Sequence, residues 1–155
     1  MKLYYSPGAC SLSPHIVLRE AGLAFEPVLA PTKNLAPANG TLPRYRLQEW
    51  LTFIGTEIHK TYSPFFSPAM PDEAKAVFKS KLESRYEWLN RELEGKEYLM
   101  GDHFTVADGY LFTVTNWAKP VGIDLSPYPN VQAWHARVGA RPNVQEALKA
   151  EGLSK

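Results

Sequence analysis

Cys10 is the only cysteine in a chain of 155 residues, and it stands in the stretch Tyr4-Tyr5-Ser6-Pro7-Gly8-Ala9-Cys10-Ser11-Leu12-Ser13-Pro14. The aromatic residues before Ser6 suit a short strand, the Ser-Pro-Gly step ends it, and Ser11 or Ser13 with Pro14 suits a helix start. A thiol facing a helix N-terminus meets exposed backbone N–H groups and the positive end of the helix dipole, and both favour the reactive thiolate. The Cys10-Ser11-Leu12-Ser13 pattern has serine where a dithiol redox motif has its second cysteine. Such a site can form a mixed disulfide with a small thiol but has no neighbour to resolve it. An isolated cysteine is more often a buried structural residue. Its place beside a Pro-Gly turn at a helix start favours a functional thiol here.

His59 and Lys60 are the next candidates. Leu47, Trp50, Leu51, Ile54 and Ile58 form an apolar stripe at helical spacing that runs to Ser63-Pro64. At about 100° per residue, His59 falls about 120° and Lys60 about 220° around that helix, so both are expected to point away from the core. Periodicity alone therefore favours two solvated side chains. Thr52 and Gly55 share the side of His59 and offer a small polar strip for a cleft. Tyr62, Phe65, Phe66 and Trp117 gather near helix ends or flanks. Aromatics there are usually core, and the competing reading is the wall of an apolar ligand pocket. No phosphate loop, no metal-ligand spacing of Cys and His, and no Gly-x-Ser-x-Gly motif is present.

The elements that must position these groups read as follows. Residues 2–5 and 25–29 are expected strands flanking a helix that carries Leu12, Ile16, Val17 and Ala21 and stops at Gly22. A Pro- and Asn-rich connector covers 30–40. Beyond it the chain reads as helix throughout. Asp72 opens a helix with Val77, Phe78, Leu82, Leu89 and Leu93 inward, stopped by Gly95. Thr105-Val106-Ala107-Asp108 has capping-box form and starts a helix through Leu111, Val114 and Ala118 that Pro120 ends. Pro129 and Pro142 open two more, the first with Val131, Trp134 and Val138 inward.

The bulk numbers narrow the function classes. Seventeen Lys and Arg against 16 Asp and Glu leave a formal charge of +1, with no cluster suited to nucleic acid or to a membrane surface. No apolar run approaches the roughly 20 residues of a membrane span, and Ser and Pro come too early for a signal-peptide core. A lone cysteine fits a reducing compartment, so a cytoplasmic protein is expected.

Four segments, MKLYYSPGACSLSPHIVLREAGL, LQEWLTFIGTEIHK, FTVADGYLF and DLSPYPNVQAWHARVGARPNVQEALKAEGL, resemble a bacterial beta-class glutathione S-transferase in the same order along the chain. The resemblance implies a mainly α fold: a thioredoxin-like glutathione-binding unit over 1–34, here a truncated β-α-β remnant, and an all-helical domain over 35–155. It implies glutathione as co-substrate, a small apolar electrophile as partner, a homodimer and no metal. It places the mixed-disulfide cysteine on Cys10 with Tyr5 and Ser11 beside it, and the His-Lys pair near glutathione on His59 and Lys60. The hydrophobic pocket falls on Tyr62, Phe66 and Trp117, and the capping box on Thr105 and Asp108. The box's hydrophobic staple would join Phe104 to Gly109, which has no side chain to offer.

The departure from the family lies between 29 and 41, where a helix, two antiparallel strands, a cis-proline turn and the γ-glutamyl-binding step are missing. Lys33 stands at that join without an assignable family counterpart. A remnant of roughly 30 residues is below the roughly 40 at which domains fold unaided, so it must pack on the helical domain or on a second chain. Two functions are thereby expected to compete: transfer or exchange of the glutathione thiol, and a non-catalytic helical protein that holds a ligand or serves as a scaffold.

Overall fold

The computed structural model describes residues 12–22 and 34–153. The expected strands, together with Tyr5, Cys10, Ser11 and Lys33, lie outside the described residues. Within them the protein is helical: α1 (Leu12–Glu20), α2 (Leu42–Phe53), α3 (Lys60–Tyr62), α4 (Asp72–Glu92), α5 (Val106–Thr115), α6 (Pro129–Gly139) and α7 (Pro142–Ala150). A π-helical turn, Ile54–His59, joins α2 to α3, and a 3-10 turn, Ser63–Phe66, follows α3.

The hub is α5. Eight of its ten residues are buried, from Ala107 to Thr115 with only Tyr110 interrupting. A helix apolar nearly all round must be enclosed by others, and α1, α2 and α6 all pack on it. Its start is fixed by the capping box that Thr105 and Asp108 close. The Asp108 carboxylate, fully buried, accepts from the backbone N–H of Thr105 (2.9 Å), the Thr105 hydroxyl (3.1 Å), the N–H of Leu99 (2.9 Å) and the Trp134 indole (3.0 Å). One side chain thus ties the loop before α5 to its first turn and to the centre of α6. Burial pushes its carboxyl above the ordinary value while those four donors pull the other way.

The staple position is filled from elsewhere. A Cβ placed on Gly109 would stand 3.5 Å from the Phe104 ring, 3.6 Å from Ile16 Cγ2 and 3.7 Å from Val17 Cγ2. The missing side chain therefore leaves a seat for α1. Polar contacts then hold α1 against the last helix. His15 Nδ1 lies 2.8 Å from Glu151 Oε1, both buried, and Arg141 forks onto Glu20 at 2.7 Å through Nε and again through Nη2. The Arg141 guanidinium also covers the Phe104 ring at 4.4 Å.

Most expected inward positions are inward: Leu12, Ile16, Ala21, Leu47, Ile54, Ile58, Leu82, Leu89, Leu111, Val131, Trp134 and Val138 are buried. Val77 is not. It is 69% exposed, because no residue of α4 before Leu82 is buried and the first turns of that helix extend past the core. The helix begun at Val106 also ends earlier than Pro120, at Thr115, and continues as turns to Gly122.

Candidate functional site

The site is built where the α2–α3 helix passes the C-terminal half of α5. The π turn decides its shape. At its end Lys60 N–H bonds to the carbonyl of Gly55, five residues back, where an α-helix would reach four back. That inserts an extra residue into the turn and shifts the phase of everything after it. His59, expected to point to solvent, instead sits half-buried against α5. Its Nδ1 lies 2.6 Å from the Tyr110 hydroxyl and its ring meets Trp117 edge-on, 5.0 Å between centroids. Burial lowers the His59 pKa below the ordinary imidazole value, so the ring is neutral at pH 7. Lys60 remains exposed, as the spacing implies.

Trp117 is the centre of an aromatic cluster. Besides His59 it contacts Tyr62 at 5.8 Å and Phe66 at 5.4 Å, both edge to face. Perpendicular rings of this kind set the positive edge of one against the negative face of the other. Phe66 is 53% exposed and forms the rim, whereas Tyr62 is fully buried and forms the floor. The Tyr62 hydroxyl pairs with that of Tyr86 (2.9 Å), which donates to Thr115 Oγ1 (3.3 Å). Burial pushes the Tyr62 phenol far up and that of Tyr86 up to about 12, so neither titrates near neutrality and both serve as walls. Glu57, within the π turn, is held by Arg85 of α4 through Nε (2.9 Å) and Nη2 (2.8 Å). That pairing lowers its pKa and pins the turn that aims His59.

Of the residues singled out in the sequence, the structure brings His59, Tyr62, Phe66 and Trp117 together. Thr105 and Asp108 lie at the other end of α5 and serve its capping. Two contributors escaped the sequence reading. Tyr110 lies seven residues before Trp117, a spacing that the helix expected through Ala118 would put on one face, and that was the available signal. Glu57 carried none, because its partner lies 28 residues away. Among the described residues no group of three potential metal ligands occurs, and no helix is long and apolar enough to cross a membrane.

The chain's similarities fall on the same region. Residues 53–142 match the family described as glutathione S-transferase, C-terminal domain. The chain is 34% identical to the glutathione S-transferase GstA of Escherichia coli O157:H7, in an alignment of 200 positions that covers 99% of this chain and 100% of the relative. Among solved structures it is similar to the bacterial transferase BphK in a ternary complex, with 44% identity, a TM-score of 0.93, and 99% and 100% of the two chains covered. It is similar also to a sphingomonad glutathione S-transferase complexed with glutathione, at 37% identity, a TM-score of 0.90, and 99% and 100% coverage.

Proposed function

Since the chain belongs to the glutathione S-transferase family, we propose that it acts on the thiol of glutathione at the edge between the start of α1 and the His59–Trp117 cluster. The observation that carries this reading is His59. Its imidazole is neutral, half-buried and pressed against an aromatic cluster that a solvated histidine would not need. Cys10 and Ser11 directly precede α1, and α1 is clamped to α5 and α7.

Two reactions suit these groups. In exchange, the Cys10 thiolate attacks one sulfur of oxidised glutathione. A new S–S bond forms, and the other half leaves as glutathione thiolate, to be protonated by water. In conjugation, the glutathione thiolate attacks an electrophilic carbon of an apolar compound seated on Phe66 and Trp117, and the leaving group departs with its electron pair. Holding both reactants in one cleft supplies much of the rate. Lys60, exposed beside His59, is a candidate contact for a glutathione carboxylate, and Tyr5 and Ser11 are candidates for its thiol end.

The thiol assignment has a direct check. The rate of Cys10 alkylation against pH should give an apparent pKa below the ~8.5 of a free cysteine. Oxidised glutathione should add one glutathionyl group, seen by intact mass and lost in Cys10→Ser. An apparent pKa at or above the free value would make Cys10 a structural residue.

A second reading is favoured by one finding. The alignment with the E. coli relative spans 200 positions, whereas this chain has 155 residues. We propose that the shortfall removes glutathione contacts of the N-terminal unit, over 1–34, while the helical domain over 35–155 keeps the apolar site. A protein reduced to holding apolar ligands would bind a hydrophobic dye at Trp117 without turning over an electrophile.

We further propose a homodimer through α2 and α4. A groove of about 640 Å³ opens there, lined by Trp50, Phe53, Trp88 and Met100 and rimmed by Arg46 and Glu49. Leu42 and Tyr45 stand 70% and 60% exposed at the start of α2. Clustered apolar exposure of this kind marks association surfaces. Sedimentation at micromolar concentration should give a dimer, shifted to monomer by Trp50→Glu; a wild-type monomer would refute it.

A further inference from the structure

We propose that Tyr110 is a positioning residue: its hydroxyl donates to His59 Nδ1 and thereby holds the imidazole in the tautomer that carries its proton on Nε2. The chemistry of the two groups sets the direction of that bond. The Nδ1–hydroxyl separation of 2.6 Å makes it a close hydrogen bond. A phenol O–H is a stronger acid than an imidazole N–H, and a bare imidazole nitrogen is a better acceptor than a phenol oxygen. With Nδ1 accepting, a neutral ring must bear its hydrogen on Nε2.

The approach is built into the fold. Gly55 of the π turn faces the hydroxyl, and a Cβ there would stand 3.6 Å from it. The Tyr110 ring meets His59 edge-on at 5.7 Å, and Trp117 holds the imidazole from another side at 5.0 Å. Between them the ring has little freedom to flip. Among the described residues Nε2 makes no hydrogen bond, so its N–H is available to a ligand.

What that N–H does rests on the reading given under Proposed function. A neutral imidazole N–H cannot take a proton from a thiol, but it can donate to a thiolate. In this arrangement His59 stabilises the anionic sulfur of glutathione as a hydrogen-bond donor and is not the base that generates it. The other tautomer would offer a lone pair to the same sulfur and repel it.

Long-range ¹H–¹⁵N spectra of the full chain, labelled in histidine, test this without any substrate. The wild type should show His59 with a pyrrole-type Nε2 and a pyridine-type Nδ1. Tyr110→Phe keeps the ring and removes the hydroxyl, and it should give a mixed or reversed tautomer with the chain still folded by circular dichroism. In the same variant kcat for conjugation should fall roughly tenfold with KM for the apolar electrophile unchanged, the pattern of a lost transition-state interaction. A wild-type His59 protonated on Nδ1, or a tautomer unmoved by Tyr110→Phe, overturns the assignment. Absence of conjugation in the wild type is a separate result: it removes the thiolate role and leaves the tautomer to be decided by the spectra.

Discussion

Asp108→Ala should cost the helical domain about 3–5 kcal/mol, the largest stability loss expected of any single substitution in this chain. The carboxylate answers four donors inside the protein: two backbone N–H groups, a hydroxyl and an indole. Truncation leaves the N–H groups of Leu99, Thr105 and Trp134 buried without an acceptor. Each orphaned buried donor costs about 1–3 kcal/mol, and the Thr105 hydroxyl can turn elsewhere. Against a total stability of about 5–15 kcal/mol, that loss unfolds much of the population under mild stress. Asp108→Asn keeps one carbonyl oxygen but turns an NH₂ toward donors, so about half the loss is expected. Urea unfolding should show a lowered midpoint with an unchanged slope. A midpoint within error of wild type would mean that the buried donors find acceptors elsewhere.

Arg141→Ala should have the second-largest effect, and a local one. Arg141 holds Glu20 at the end of α1 with two 2.7 Å bonds and donates to the Tyr98 hydroxyl at 3.2 Å. The Glu20 side chain is 6% exposed and that of Arg141 29%, so screening weakens this pair little. Removing the guanidinium strands a nearly buried carboxylate, at a cost of about 2–4 kcal/mol. That cost falls first on the docking of α1, which joins the common core from its edge through Leu12 and Ile16. Hydrogen exchange should accelerate at α1 amides while α5 and α6 keep their protection. Cys10 stands two residues before the start of α1, so its alkylation pKa should drift toward the free value and glutathionylation should slow. Arg141→Lys should fall between, because an ammonium replaces the charge but not the planar fork. Equal loss of protection across all helices would show that α1 belongs to a single cooperative core.

The fold and the site were legible in the sequence to different depths, and for physical reasons. Caps and breakers were explicit: Pro129 and Pro142 open α6 and α7, and Thr105 with Asp108 opens α5. These signals act within a few residues, so local sequence carries them. The direction of His59 was not legible, because periodicity assumes a constant step and the π turn changes it. The hydroxyl chain Tyr62–Tyr86–Thr115 and the Glu57–Arg85 pair were invisible for another reason. They join residues more than 20 positions apart, and only packing brings them together. Gly109 looked like a weakened staple and is a seat for α1, which the capping pattern alone has no means to express.

Calorimetric titration of glutathione into the purified chain, its intact mass first matched to the 155-residue sequence, tests the central claim most directly. The claim is that the chain engages glutathione beside α1 and His59 but lacks part of the grip of its relatives. Each lost hydrogen bond to a charged group is worth about 1.5–3 kcal/mol, so loss of two predicts binding on the order of 100-fold weaker than in a relative such as GstA measured in parallel. Binding as tight as that relative's would show that nothing needed for glutathione is missing, and no detectable binding would show that this chain does not use glutathione.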